Sequence, residues 1–227
     1  MYYILFIGIA LISYLVQANL KSKFDRYSHT PLASGMSGRE VAEKMLRDNG
    51  IYNVRVTCTP GYLTDHYNPQ NGTVNLSESV FNGRSVAAAA VAAHECGHAV
   101  QHAVAYGPLT LRSALVPVVS FASNWVSWVL LAGIVLVHTF PGILLLGIVL
   151  FAMTTLFSFV TLPVEIDASR RATSWLLSAG ITSARDHSMA VSALRSAAYT
   201  YVVAALSSLA TLIYYVLIFL SGSRSRD

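Results

Sequence analysis

The chain has 227 residues, of which 54% are hydrophobic and 11% are charged, and its formal net charge is +4. A soluble domain carries about 25% charged residues, so this composition predicts an integral membrane protein. The basic residues are scattered and form no aromatic-flanked basic stripe, which excludes nucleic acid as an expected partner. Two cysteines, Cys58 and Cys96, are too few for a disulfide framework, and we expect both to be reduced.

Four stretches are long and apolar enough to cross a bilayer, which takes about 20 residues. They are residues 2–20, 115–137, 143–162 and 197–220. The second and third are joined by the short sequence HTFPG, which contains no Lys or Arg, so they are predicted to form a membrane hairpin. The first lacks the basic flank of a signal peptide, and this favours an uncleaved anchor over a cleaved leader.

The distribution of Lys and Arg predicts the orientation of the chain. Nine of these residues lie in the segment 21–113 and four lie in the segment 163–196. Both segments are therefore predicted to face the cytoplasm and to share one domain. The expected order is a transmembrane anchor at 1–20, a cytoplasmic part at 21–113, a transmembrane hairpin at 114–162, a cytoplasmic segment at 163–196, a transmembrane helix at 197–220 and a tail at 221–227.

The first polar segment has the pattern of an α+β domain. The stretch SGREVAEKMLRDNG begins with a capping box of Ser37 and Glu40, and it ends at Gly50, as expected after a helix. Residues 54–58 and 73–77 are predicted to be strands. The second of these strands could pair with an extended peptide at a sheet edge, or it could be an ordinary internal strand.

A long apolar helix is predicted from Val86 to about residue 106, before Gly-Pro at 107–108, and it contains VAAHECGHAVQHA. Its polar side chains need partners, because an unpaired buried polar group costs about 1–3 kcal/mol. The H-E-x-x-H spacing places His94 and His98 one turn apart on one face, where both can bind Zn²⁺. Glu95 would lie beside the metal as a general base. The alternative, a set of core histidines without metal, would require several other buried partners.

The third metal ligand must come from outside this helix. His102 lies eight residues after His94, about 12 Å along the helix axis, so we expect it to pack or hydrogen-bond near the site. The stretch LPVEIDASRRA places Glu165 just after the third span, with Pro163 predicted in the first turn of a helix. Glu165 is the expected third ligand. The alternative is an acidic pair that only interacts favourably with the start of a helix.

The remaining candidates would support the site without binding the metal. Asp167 either positions a metal ligand without binding the metal itself, or it pairs with Arg170 or Arg171. If the metal and Glu95 activate a water that attacks a carbonyl, a hydrogen-bond donor that stabilises the resulting oxyanion is also expected. The candidates for that donor are His66, Tyr67, His187, Tyr199 and Tyr201, of which His66 could equally be a turn histidine and Tyr201 an interfacial tyrosine.

The stretches LTDHYNP, VAAHECGHAVQH, TLPVEIDASRRA and AAYTYVVAALS together resemble the YugP-type neutral zinc metallopeptidases, and the resemblance covers nearly the whole chain. More distantly, the chain is similar to HtpX-type gluzincin proteases, which place H-E-x-x-H before a transmembrane hairpin and the glutamate ligand after it. This implies zinc on His94, His98 and Glu165, with Glu95 as the base. HtpX-type enzymes carry an aspartate four residues after the ligand glutamate, where this chain has Ser169.

We therefore expect a mainly α membrane protein with four transmembrane helices and a small cytoplasmic α+β, zincin-like domain. The expected activity is that of a multi-pass zinc endopeptidase of the cell membrane, which hydrolyses peptide bonds of protein substrates through a zinc-activated water. One alternative is a catalytically inactive zinc-binding scaffold or chaperone. A transporter is disfavoured, because the predicted spans contain almost no ionisable residues.

Overall fold

A computed structural model describes residues 2–224 of the chain as six longer helices, one short helix and three short strands. The chain is thus mostly helical with a small sheet, as its composition and patterning predicted. In order, the elements are α1 Tyr2–Ser28, α2 Gly38–Asp48, β1 Arg55–Thr59, β2 His66–Asn68, β3 Thr73–Ser77, α3 Glu78–Phe81, α4 Val86–Ala103, α5 Gly107–Val135, α6 Pro141–Ser178 and α7 Ala184–Arg224.

The three strands form one sheet in the order β1-β3-β2. Strands β1 and β3 are parallel, whereas β2 and β3 are antiparallel. Because β3 has a neighbour on each side, residues 73–77 are an internal strand and cannot pair with a further peptide. Val74 and Leu76 of this strand are fully buried in the core that it shares with α4. The free edges of the sheet belong to β1 and β2.

The predicted caps are present at both helices that frame the sheet. Ser37 and Glu40 form the capping box of α2, and Gly50 has a φ of +70° just after that helix. Ser85 accepts a hydrogen bond from the backbone N–H of Ala88 at the start of α4. Along its buried face α4 carries mainly alanine, so α2 packs against it through side chains such as Met45.

Within the described residues, three helices are long and apolar enough to cross a membrane. They are Gly107–Val135, Pro141–Ser178 and Ala184–Ser221. The last two contain the third and fourth predicted spans, and the first contains the second span except for its last two residues. The first predicted span lies in α1 and is not among them. The four-span arrangement is therefore not confirmed, whereas three of its spans match long apolar helices.

The helix boundaries differ from those predicted. Helix α6 continues through Pro163 without a break, so Glu165 lies in a helix interior rather than in a first turn. Tertiary packing has overridden the local cost of proline here, since Val164 and Ala168, which follow Pro163 in the helix, are fully buried. The Gly107-Pro108 pair ends no helix but begins α5, where proline fits the first turn.

Two compact units divide the described chain. The first comprises the residues up to Leu109 together with Pro163–Thr200, and the second comprises Thr110–Leu162 and the residues from Tyr201 onward. The first unit thus contains the sheet, α4 and the polar part of α6. The second unit is made of apolar helix segments from α5, α6 and α7.

Candidate metal centre

Helices α4 and α6 bring three potential metal ligands together inside the first unit. His94 and His98 project from one face of α4, and Glu165 projects from α6. The Nε2 atoms of His94 and His98 lie 3.3 Å and 3.7 Å from Oε2 of Glu165. One ligand atom from each of the three residues lies within 4.8 Å of the other two. No other group of three or more His, Cys, Asp or Glu side chains in the described residues has this spacing.

These distances fit a zinc ion. Two ligand atoms placed 2.0–2.1 Å from a tetrahedral zinc are about 3.3–3.4 Å apart. Two imidazoles and one carboxylate are also the donor set of zinc sites that leave the fourth position open. The rings of His94 and His98 are nearly perpendicular, with an interplanar angle of 80°, and their centroids are 4.8 Å apart. Both rings can therefore direct Nε2 towards one point beside Glu165.

A close approach of the two helices makes this meeting possible. Gly97 lies between the two histidines on α4, directly against the backbone of Ala168 on α6. A Cβ atom at Gly97 would lie only 2.7 Å from the Ala168 carbonyl oxygen, closer than real Cβ contacts allow. Glycine at this position thus allows α4 and α6 to pack closely enough for Glu165 to reach His94 and His98.

Each histidine contacts a polar side chain at the nitrogen that faces away from Glu165. Nδ1 of His94 lies 3.2 Å from Oγ of Ser169, which occupies the position where HtpX-type enzymes carry aspartate. Nδ1 of His98 lies 3.0 Å from Oε1 of Gln101, a fully buried residue one turn further along α4. Such contacts on the outer nitrogen orient ligand imidazoles in metal sites.

Asp167 connects to this network through Gln101. Its Oδ2 accepts hydrogen bonds from Nε2 of Gln101 at 2.9 Å and from Nε of Arg171 at 2.5 Å. Its Oδ1 accepts a hydrogen bond from Arg170 at 3.2 Å. The arginine pairing that the sequence left open for Asp167 is thus present, and the same carboxylate also contacts Gln101.

Glu95 is buried next to the histidines and is held by the sheet. Its Oε2 accepts a hydrogen bond from the backbone N–H of Tyr67 in β2, at 3.1 Å. The negative charges near His98 affect its protonation. Burial by itself would lower the pKa of His98, but the hydrogen bond to Glu165 and the charges of Glu95 and Glu165 outweigh it and raise that pKa.

The other candidate residues lie outside the cluster. Nδ1 of His102 is 2.8 Å from the hydroxyl of Tyr67, and His102 is exposed, so it packs beside the sheet and is not one of the clustered ligands. His66 contacts the carbonyl of Thr64 and the amide of Asn75, on the sheet face opposite Tyr67. Tyr201 belongs to the second compact unit.

Three contributors to the site were not identified from the sequence. These are the side chain of Gln101, the hydroxyl of Ser169 and the backbone N–H of Tyr67. The spacing of Gln101, three residues after His98 on the same helix, placed it on the ligand face. No sequence pattern could reveal the backbone contact of Tyr67, because it depends on where β2 lies relative to α4.

The buried His-His-Glu cluster with an adjacent glutamate has the features of a zinc hydrolase centre. Comparison with known families agrees: residues 2–220 match the family described as "Putative neutral zinc metallopeptidase", and the chain belongs to this family. Zinc is accordingly its cofactor. The chain is also similar to the "Putative membrane protease YugP" of Bacillus subtilis (strain 168), with 43% identity over 211 residues, which cover 93% of each protein. No solved structure shows a significant match to the chain.

Proposed function

We propose that this protein is a membrane-embedded zinc endopeptidase that hydrolyses peptide bonds of protein substrates. Its zinc ligands are His94, His98 and Glu165, and Glu95 is its catalytic base. The observation that carries this proposal is the match between the ligand separations, 3.3 Å and 3.7 Å, and those of a tetrahedral zinc site. Family membership and the similarity to YugP support the peptidase assignment.

Zinc bound here would lower the pKa of its water to about 7 and polarise the scissile carbonyl. The protein supplies the proton transfers. Oε2 of Glu95 is engaged by the N–H of Tyr67, so Oε1 is the atom that accepts a proton from the attacking water. The same carboxylate then returns the proton to the departing amine. The bond to Tyr67 fixes the carboxylate in one orientation through both steps.

The sheet edge next to Glu95 is suited to hold an extended substrate. Tyr67 N–H points to Glu95 rather than to β3, so the outer side of β2 faces the catalytic glutamate. A peptide added along this edge would bring its backbone past Glu95. This role, which the sequence left open for residues 73–77, falls instead to the neighbouring strand.

The decisive experiment separates the base from the ligands. Glu95→Gln preserves size and removes proton acceptance, so detergent-purified E95Q should retain zinc and lose hydrolysis of an unfolded protein by orders of magnitude. His94→Ala should lose both zinc and hydrolysis. Wild-type hydrolysis by E95Q would show that Glu95 is not the base. A zinc-loaded wild type that does not hydrolyse the unfolded protein would instead favour a zinc-binding scaffold or chaperone.

We further propose that the active site faces the cytoplasm, on the strength of the Lys and Arg distribution. Cys58 provides a reporter, because it is exposed whereas Cys96 is fully buried. Burial, with the nearby charge of Glu95, raises the pKa of Cys96 and keeps its thiol unreactive. A membrane-impermeant maleimide should label the protein in permeabilised cells but not in intact ones, and Cys58→Ser should abolish the labelling. Labelling in intact cells would place the site outside.

His66 and Tyr201 stay predictions for the oxyanion donor. The experiment that tests them compares His66→Asn and Tyr201→Phe in zinc-loaded protein. Loss of an oxyanion donor should lower kcat by about 100–1,000-fold while zinc content is unchanged. A variant that hydrolyses at the wild-type rate eliminates that residue.

A further inference from the structure

Gln101 is a fully buried amide that makes three hydrogen bonds, all within the first compact unit. Its Nε2 donates to the Val164 carbonyl at 2.8 Å and to Oδ2 of Asp167 at 2.9 Å. Both partners of Nε2 are acceptors without a proton to give. The amide therefore has only one satisfactory orientation, since rotating it would set Oε1 against two other oxygens.

The orientation of Gln101 determines which ring nitrogen of His98 carries a proton and which has a free lone pair. With Nε2 facing Val164 and Asp167, Oε1 is left facing Nδ1 of His98 at 3.0 Å. An amide oxygen accepts only, so Nδ1 must carry the proton and donate it. The other ring nitrogen, Nε2, is the one directed at Glu165, and its lone pair is then available for a metal.

We infer that Gln101 is a positioning residue that fixes the orientation and tautomer of His98 as a metal ligand, with Asp167 holding Gln101 in turn. This inference rests on the proposed metal site. Asp167 is itself held by Arg171, whose guanidinium lies over the ring of Tyr106, 5.7 Å from its centroid. The backbone N–H of Tyr106 donates to the carbonyl of Gln101, at 2.9 Å, which closes the network around the end of α4.

The two ligand histidines are thus supported differently. His94 is contacted by Ser169, a hydroxyl that can either donate or accept and so selects no tautomer. His98 is contacted by an amide whose direction is already determined by two other bonds. Removing the support of His98 should therefore weaken metal binding more than removing that of His94.

The experiment measures zinc affinity by chelator competition in purified Gln101→Met, Asp167→Ala and Ser169→Ala. Q101M keeps the length of the side chain and removes both bonding atoms. Its zinc affinity should fall by about 10–100-fold, as is usual when a residue that orients a metal ligand is lost. D167A should cause a smaller loss and S169A the smallest. Gln70→Met, at an exposed glutamine of the same unit, is the matched control and should leave zinc affinity unchanged.

A second readout follows the proton on Nδ1 of His98 directly. In ¹⁵N-histidine-labelled wild type, this proton should be protected from exchange in the zinc-free and zinc-bound protein, and the protection should vanish in Q101M. If Q101M does not fold, Gln101→Asn retains an amide but is one methylene too short to reach His98. Zinc affinity within twofold of wild type in the folded variant, or an unprotonated Nδ1 in wild type, would overturn the inference.

The two proposals fail in distinguishable ways. A wild-type protein that binds no zinc contradicts the proposed function, while the Nδ1 proton still tests the role of Gln101. A wild type that binds zinc and a Q101M variant that binds it equally well contradict only the role of Gln101.

Discussion

The two compact units use glycine in the same way and with different results. In the first unit, Gly97 of α4 lies against the backbone of Ala168 on α6, and this close approach brings three potential metal ligands together. In the second unit, Gly133 of α5 lies against the backbone of Leu144, where an added Cβ would be 2.5 Å from its Cα. Both contacts allow two helices to pack with little separation. Only the contact in the first unit lies beside a cluster of potential metal ligands.

The surroundings of the two contacts explain the difference. His94, His98 and Glu165 lie close to Gly97. The ring nitrogen of His98 that faces away from Glu165 contacts the side chain of Gln101. Around Gly133 the packed side chains are Leu130, Leu144 and other apolar residues. Tight packing of small residues is therefore a structural device common to both units, and the polar residues beside it decide whether a site results.

The largest effect is expected from removal of the ligand contributed by α6. Glu165→Ala should weaken zinc binding at least tenfold and stop hydrolysis, because two imidazoles alone leave the zinc site incomplete. His102→Ala is the matched control, since His102 contacts Tyr67 rather than the cluster, and it should retain zinc. Loss of zinc in His102→Ala but not in Glu165→Ala would require a ligand set confined to α4.

The next largest effect concerns the close approach in the first unit. Gly97→Ala would place a methyl group 2.7 Å from the Ala168 carbonyl oxygen, so the two helices must separate. Zinc affinity should fall at least tenfold, and unfolding free energy should fall by about 1–3 kcal/mol. Chelator competition and thermal unfolding in detergent measure the two quantities. Gly107→Ala, where nothing lies within 4 Å, is the control. Normal zinc affinity in Gly97→Ala would show that the spacing is not critical.

The corresponding change in the second unit should separate packing from chemistry. Gly133→Ala should also cost about 1–3 kcal/mol of stability, because the added methyl group meets the backbone of Leu144. Folded Gly133→Ala should bind zinc like the wild type, since none of the clustered ligands belongs to its unit. Gly142→Ala, with open space around it, should unfold at the wild-type temperature. A zinc defect in Gly133→Ala would contradict the separation of the two roles.

The smallest effect concerns a polar contact in the apolar unit. Thr155 and Ser208 share a hydrogen bond of 2.7 Å between their hydroxyls. Thr155→Val should cost about 0.6 kcal/mol, the average for side-chain hydrogen bonds between membrane helices. A double-mutant cycle with Ser208→Ala measures this coupling in detergent. Coupling above about 2 kcal/mol would show that polar contacts, and not close packing, stabilise this unit.

The local features of the chain could be predicted well. The capping box at Ser37, the cap at Ser85 and the glycine at position 50 are short-range patterns, and each was found where it was predicted. Helix ends near proline were predicted poorly. Pro163 was placed in a first turn and lies inside α6, because the burial of its neighbours favours a continuous helix over the local preference.

By itself, the sequence determined three of the long apolar helices, the H-E-x-x-H helix and the chemical types of the candidate ligands, since these depend on composition and on spacing within one element. Only the tertiary structure decided that Glu165 meets His94 and His98, that β2 rather than β3 borders Glu95, and that Gln101 links His98 to Asp167. The reason is physical. Contacts between elements depend on how closely the backbones pack, and at this site a single glycine, Gly97, sets that distance against a residue 71 positions later in the chain.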